Sequence, residues 1–255
     1  MKHSMAIAAA LSAVLLNPLS AWTADGDEAS LRDEVHTLRD EVRALQQDMR
    51  EFKQAIAAAK RPAGWEKVDA VLGPEDSPQV GEGDARLVLI EFSDYQCPFC
   101  ARHYTDTFRQ IEKEYVATGK LRYVVAEFPI AQLHPLALKA AVAARCARDQ
   151  GKFWEMHARL FANQRQLEPW SAHAEALGLD ATGFQSCMDS GKYNDEIQRN
   201  AAAAQQGGIA STPTFLLGIA SGDTVKVVRR LRGAAPYPAF KAEIDALLAE
   251  PVAVK

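Results

Sequence analysis

Between residues 31 and 56 the apolar side chains fall at Leu31, Val35, Leu38, Val42, Leu45, Met49, Phe52 and Ile56, in alternating steps of four and three. That spacing predicts a helix with a heptad seam, a coiled-coil arm spanning about 25–60. With Leu31, Leu38, Leu45 and Phe52 at d, the a positions include β-branched Val35, Val42 and Ile56, a choice that favours two parallel strands. Met49 and Phe52 specify oligomer state weakly, so a trimer stays open. In this register Glu34 faces Arg39 of a second chain, and Asp48 faces Lys53. A single amphipathic helix packed on its own domain is the competing reading, although such a helix carries a wider apolar stripe.

The pattern breaks at residues 57–60. Arg61-Pro62-Ala63-Gly64 and the Gly-, Pro- and acid-rich stretch 73–84 read as a linker over 61–84, so the compact domain begins between Trp65 and Arg86. Leu87 to Phe92 is a short apolar run of the buried-strand kind, interrupted by Glu91. Ser93 to Gln96 form a loop, and Tyr104, Phe108, Ile111 and Tyr115 then recur at helical spacing until Gly119. Leu121 to Phe128 reads as a second strand, 135–205 holds only helical patterns, Phe215 to Leu217 and Val225 to Leu231 read as strands, and a last helix covers Tyr237 to Glu250. The order is that of an α/β domain over 85–250 with a helical insertion at about 131–207.

At the N-terminus, Lys2, an apolar stretch from Met5 to Leu16 and small residues up to Ala24 read as an export signal over 1–24, too short to span a bilayer; an uncleaved anchor or a buried helix is the alternative. Lys and Arg number 29 against 33 Asp and Glu, which gives no reason to propose a nucleic acid as partner. Four cysteines in an exported chain pair naturally as two and two.

Cys97-Pro98-Phe99-Cys100 opens the helix that follows the buried run. Backbone N–H groups at a helix start stabilise an anion, so the Cys97 thiol ionises easily and is the expected nucleophile. Cys100 is then the thiol that attacks a mixed disulfide at Cys97 and releases the substrate. Half of a zinc site, with Cys146 and Cys187 as the rest, and a structural bridge are the competing readings, but zinc sites usually bring a second closely spaced pair. No cofactor and no metal are expected.

Three stretches together resemble the DsbA-type thiol:disulfide oxidoreductases of the bacterial periplasm: Phe92 through Cys100; His134-Pro135 through Cys146 to Glu155; and Gly208 through Phe215. The resemblance runs from about Asp84 to Leu248, and with the arm the chain resembles oligomeric members that carry an N-terminal helical extension, such as ScsC-like proteins. It implies a thioredoxin fold interrupted by a helical domain. Pro213 matches the family's cis-proline beside the cysteine pair and Thr212 the residue before it, where a substrate strand binds. Glu91 matches the buried carboxylate under the active site, which would have a raised pKa and carry the Cys100 proton; a strand-end Glu turned to solvent is the alternative. Cys146 and Cys187 lie on separate helices of the insertion and are expected to form a structural bridge, with a second redox-active pair as the other reading.

Three functions follow. The first is a periplasmic enzyme that exchanges or isomerises disulfides in unfolded or misoxidised exported proteins, acting as a homodimer. The second is a DsbA-like disulfide donor; either would be serviced by a DsbB-like or DsbD-like membrane redox partner. The third is a non-enzymatic surface or adhesion module, disfavoured because a bridge across three residues gains almost no loop-closure stabilisation. Phe99 stands where the most oxidising relatives have histidine, which argues for a less oxidising pair. His103 reads as a partly exposed helix residue and His134 as a turn residue.

Overall fold

The computed structural model describes residues 32, 34–47, 49–50, 64–73 and 76–251. The export signal, the heptad positions Leu31, Phe52 and Ile56, the charges Asp48 and Lys53, and most of the 61–64 hinge lie outside the described residues. Two compact units divide the chain, residues 1–59 and 60–255.

In the first unit, residues 34–47 form helix α1. On its polar side Asp40 meets His36 at 3.3 Å and Arg43 at 3.0 Å. The described seam residues Val35, Leu38, Val42, Leu45 and Met49 are 42–65% exposed.

The second unit is built on a six-stranded sheet. Its strands are β1 (Glu66–Leu72), β2 (Gln79–Val80), β3 (Leu87–Ser93), β4 (Leu121–Glu127), β5 (Thr214–Ser221) and β6 (Thr224–Arg232), in the order β1-β6-β5-β3-β4-β2. Only β3 and β4 run parallel; the other pairs are antiparallel. β1 and β2 fall within the stretch read as a linker. β1 is an exposed edge strand carrying Glu66, Lys67 and Asp69, so it lacks the apolar run that marks β3.

β3 is buried along its whole length, with strands on both sides. Side chains alternate between the faces of a strand, and the residues sort accordingly. Leu87 and Leu89 enter the larger core, together with Cys100, Tyr104 and Tyr123, while Val88, Ile90 and Phe92 enter a second core on the opposite face. Glu91 shares the parity of Leu87 and Leu89 and is turned toward the cysteines.

Helix α2 follows β3. It is α-helical over Pro98–His103, then passes through two π-helical stretches, Tyr104–Phe108 and Glu112–Val116, around the short turn Arg109–Ile111. Five helices lie between β4 and β5: α3 (Ala137–Arg148), α4 (Phe153–Ala162), α5 (Trp170–Ala176), α6 (Ala181–Ser190) and α7 (Asn194–Gln206). Helix α8 (Tyr237–Ala249) closes the chain against the α2 side of the sheet, where Phe240, Ile244 and Leu247 join the larger core.

One feature ties helices of the insertion to each other, and two fix the insertion to the sheet. Cys146 on α3 and Cys187 on α6 are joined by a disulfide. Arg145, fully buried, makes two 2.7 Å bonds to the Glu127 carboxylate at the end of β4 and donates to the Asp76 carbonyl and to Glu196. Helix α7 lays Ala201 and Ala204 against the second core. At the β5–β6 bulge between Leu217 and Gly218, a Cβ on Gly218 would stand 2.5 Å from the Lys226 carbonyl oxygen, which restricts that position to glycine.

Candidate active site

Cys97 occupies the N-cap of α2, with Pro98 in the first turn and both thiols free. Its surroundings favour the anion. The Cys100 thiol donates to it and lowers its pKa to about 6, with burial opposing and the Thr212 side chain and the backbone N–H groups of Cys100 and Phe99 assisting. As a thiol, Cys97 donates instead to the Thr212 carbonyl at 3.4 Å. The Thr212 hydroxyl is buried and has no other hydrogen-bond partner among the described residues, so it is available to the thiolate. The Thr212–Pro213 peptide is cis and stands beside Cys97. Cys100 behaves oppositely: burial first, then its bond to Cys97, holds its pKa well above the usual value.

Under the pair lies Glu91, 3% exposed. The Ser93 hydroxyl donates to its Oε1 at 2.8 Å and the Tyr123 hydroxyl to its Oε2 at 2.6 Å. Desolvation outweighs both bonds and raises the carboxyl to about 7, and negative charge on Cys97 pushes the same way.

The loop before Cys97 is held from outside the sheet. Asp94 accepts from the backbone N–H groups of Gln96 and Ile130, each at 2.8 Å, and pairs with His134 Nδ1 at 2.9 Å. Gln96 Oε1 accepts from Leu136 N. From the insertion, the Gln164 amide donates to the carbonyls of Tyr95 and Cys97 at 2.7 and 2.9 Å, and His157 Nδ1 meets the Tyr95 hydroxyl at 2.9 Å. Phe99 is 52% exposed next to the pair, with the Arg102 guanidinium over its ring.

Of the residues singled out in the sequence, Cys97, Cys100, Thr212, Pro213 and Glu91 therefore come together, and Cys146 and Cys187 lie apart on the insertion. His103 is only 1% exposed and bonded to Tyr123, not a partly exposed helix residue, because α2 presents it to the β5–α8 core. Asp94 lies within the Phe92–Cys100 motif but is given no role by the sequence, and Gln164, His157 and Tyr123 carry no motif. Among the described residues no cluster of three or more His, Cys, Asp or Glu is placed to hold a metal ion.

A family model described as Thioredoxin matches residues 74–227. The chain belongs to the thioredoxin family. Two solved structures share this thioredoxin fold and its helical insertion at 22% identity. One is alpha-DsbA1 of Wolbachia pipientis, with a TM-score of 0.57 over 68% of this chain and 91% of that one. The other is oxidised BdbD of Bacillus subtilis, with a TM-score of 0.60 over 72% and 100%. Among curated proteins the chain is similar to the Na(+)/H(+) antiporter NhaA 3 of Salinispora tropica, 32% identical over 151 residues. That match takes in 58% of this chain and 21% of the antiporter, and the chain spans between a fifth and a quarter of the length of such relatives.

Proposed function

We propose that this thioredoxin-family protein is a periplasmic thiol:disulfide oxidoreductase that exchanges or isomerises disulfides in exported proteins through Cys97 and Cys100. The observation that carries the reading is the opposed ionisation of two free thiols at one helix start: Cys97 pushed down to about 6 and Cys100 pushed up. A thiolate at neutral pH is the attacking form, and a protonated second thiol stays silent until a mixed disulfide has formed. Exposed Phe99 supplies an apolar contact for an unfolded client, and the Thr212 backbone beside Cys97 supplies a strand to pair with it.

A dimer fits the seam of α1, whose described apolar residues Val35, Leu38, Val42, Leu45 and Met49 are exposed. A DsbA-like disulfide donor is the second reading, favoured by the lowered Cys97 pKa, since a stabilised thiolate makes a pair more oxidising. Phe99, standing where a histidine would add cationic support to the thiolate, favours exchange over one-way donation.

A Cys100→Ala variant tests the assignment. It should accumulate mixed disulfides through Cys97, while in the parent protein Cys97 should alkylate with an apparent pKa near 6 and in the variant, without the Cys100 thiol that lowers it, with a higher one. Partners trapped on Cys146 or Cys187, with Cys97 inert at neutral pH, would reject it.

A further inference from the structure

A chain of hydrogen bonds leads from Glu91 through the core to the flank of α2. The Tyr123 hydroxyl, on β4, donates its one proton to Glu91 Oε2, and the Tyr123 oxygen lies 3.0 Å from His103 Nε2. His103 must therefore donate Nε2–H to that oxygen, which leaves Nδ1 as a bare acceptor. Nδ1 is buried and has no hydrogen-bond partner among the described residues. A buried polar atom left unpaired is costly, and a purely structural histidine has no need to carry that cost.

The ring is otherwise enclosed by Phe215 of β5 and Phe240 of α8, at centroid distances of 4.4 and 5.2 Å. His103 also lines a cavity of about 400 Å³ whose wall includes Arg102, Asp106, Gln110 and Tyr237. The first three of these are exposed, so the cavity meets solvent.

We propose that Tyr123 and His103 form a proton relay between Glu91 and this cavity, giving the proton of Cys100 a route to water that does not pass through the substrate cleft. The proposal rests on Cys97 and Cys100 being the exchanging pair. In the resolving step the Cys100 thiol yields its proton to Glu91, and the Cys100 sulfur attacks Cys97. The Cys97–Cys100 bond forms, the bond from Cys97 to the substrate sulfur breaks, and its electron pair leaves on the substrate thiolate; the pair is oxidised and the substrate reduced.

Glu91 then passes its proton to the Tyr123 oxygen, Tyr123 passes its own to Nε2, and Nδ1–H goes to the cavity. One proton enters the chain and one leaves. The described arrangement, with Nε2–H, bare Nδ1 and Tyr123 donating to Glu91, is the state that follows release. Burial, with His157 on α4 pushing the same way, lowers His103 to about 3, so the ring stays neutral and passes a proton without storing one. Glu91 through Tyr123, and Arg102 and Asp106 on its own helix with Tyr237 of α8 at the cavity, are the other titratable groups toward it.

The test times the second phase of exchange, in which reduced full-length protein releases a labelled thiol from a disulfide peptide, from pH 5 to 9. Tyr123→Phe and His103→Gln should slow release at pH 7 by about tenfold or more, because general acid–base assistance is worth about 10²–10⁴. The deficit should close toward pH 9, where hydroxide takes the proton directly. Glutamine keeps an N–H for the Tyr123 oxygen but cannot pass a proton, so parental rates in His103→Gln would mark the histidine as structural and overturn the relay. Should the variants fold poorly, the parent in H2O–D2O mixtures decides: a curved dependence on deuterium fraction supports several protons moving together, and a linear one overturns it. A parent that captures the peptide nowhere on Cys97 would instead bring down the exchange reading, and the relay with it.

Discussion

A carboxyl group held in a closed core beside two thiols titrates against the fold that holds it. Glu91 stands at about 7 in the folded protein against about 4.5 when unfolded. Between those values the folded state keeps a proton that the unfolded chain has lost, so stability falls as pH rises through the window and is lowest above it. The difference corresponds to about 3 kcal/mol. A Glu91→Gln variant should be more stable than the parent by up to that amount at pH 8 in urea unfolding, with the gain vanishing near pH 4. An equal gain at both pH values would show that packing and not ionisation is responsible. The group is buried because of strand parity, which is legible once Leu87 and Leu89 are read as core. Tyr123 and His103 were not legible as its partners, since nothing in a β4 tyrosine or an α2 histidine announces that two elements will bring them within 3.0 Å.

Among the elements, the insertion is closed on itself by a covalent link and fixed to the sheet by a buried charge pair, the two lying side by side on α3. The Cys146–Cys187 bridge closes a separation of 41 residues, worth about 4 kcal/mol in the chain-entropy model. Replacing both cysteines with Ala should lower the melting temperature while insulin reduction through Cys97 continues, because neither sulfur touches the active-site loop. Loss of turnover in a variant shown to be folded would give the pair a part in the chemistry. Strands with continuous apolar runs, β3 and β4, were readable from their residues, as were α2 and α8 from their spacing. β1 was not: an edge strand with charges on its exposed positions has the composition of a linker, and only pairing with β6 makes it a strand.

At the scale of the whole molecule, the proposed dimer would give the arm a task separable from that of the thioredoxin-family unit. Deleting residues 24–60 should give a monomer by light scattering that exchanges thiols with small peptides as before but rescues scrambled ribonuclease poorly. Equal rescue would assign the arm another purpose, and a monomeric intact protein would remove the dimer altogether. The order of the strands sets a further condition, on time. β3 pairs on one side with β4, close in sequence, and on the other with residues 214–219 of β5, which lie beyond the entire insertion. During synthesis, the apolar central strand therefore keeps one edge open until more than a hundred residues have followed it, a non-local closure of the kind that folds slowly. The insertion can pack and form its bridge in that interval. The Thr212 backbone reaches Cys97 only when β5 docks, so the reactive thiol gains its full surroundings at the end of folding, after the cysteines of the insertion have had their chance to find each other.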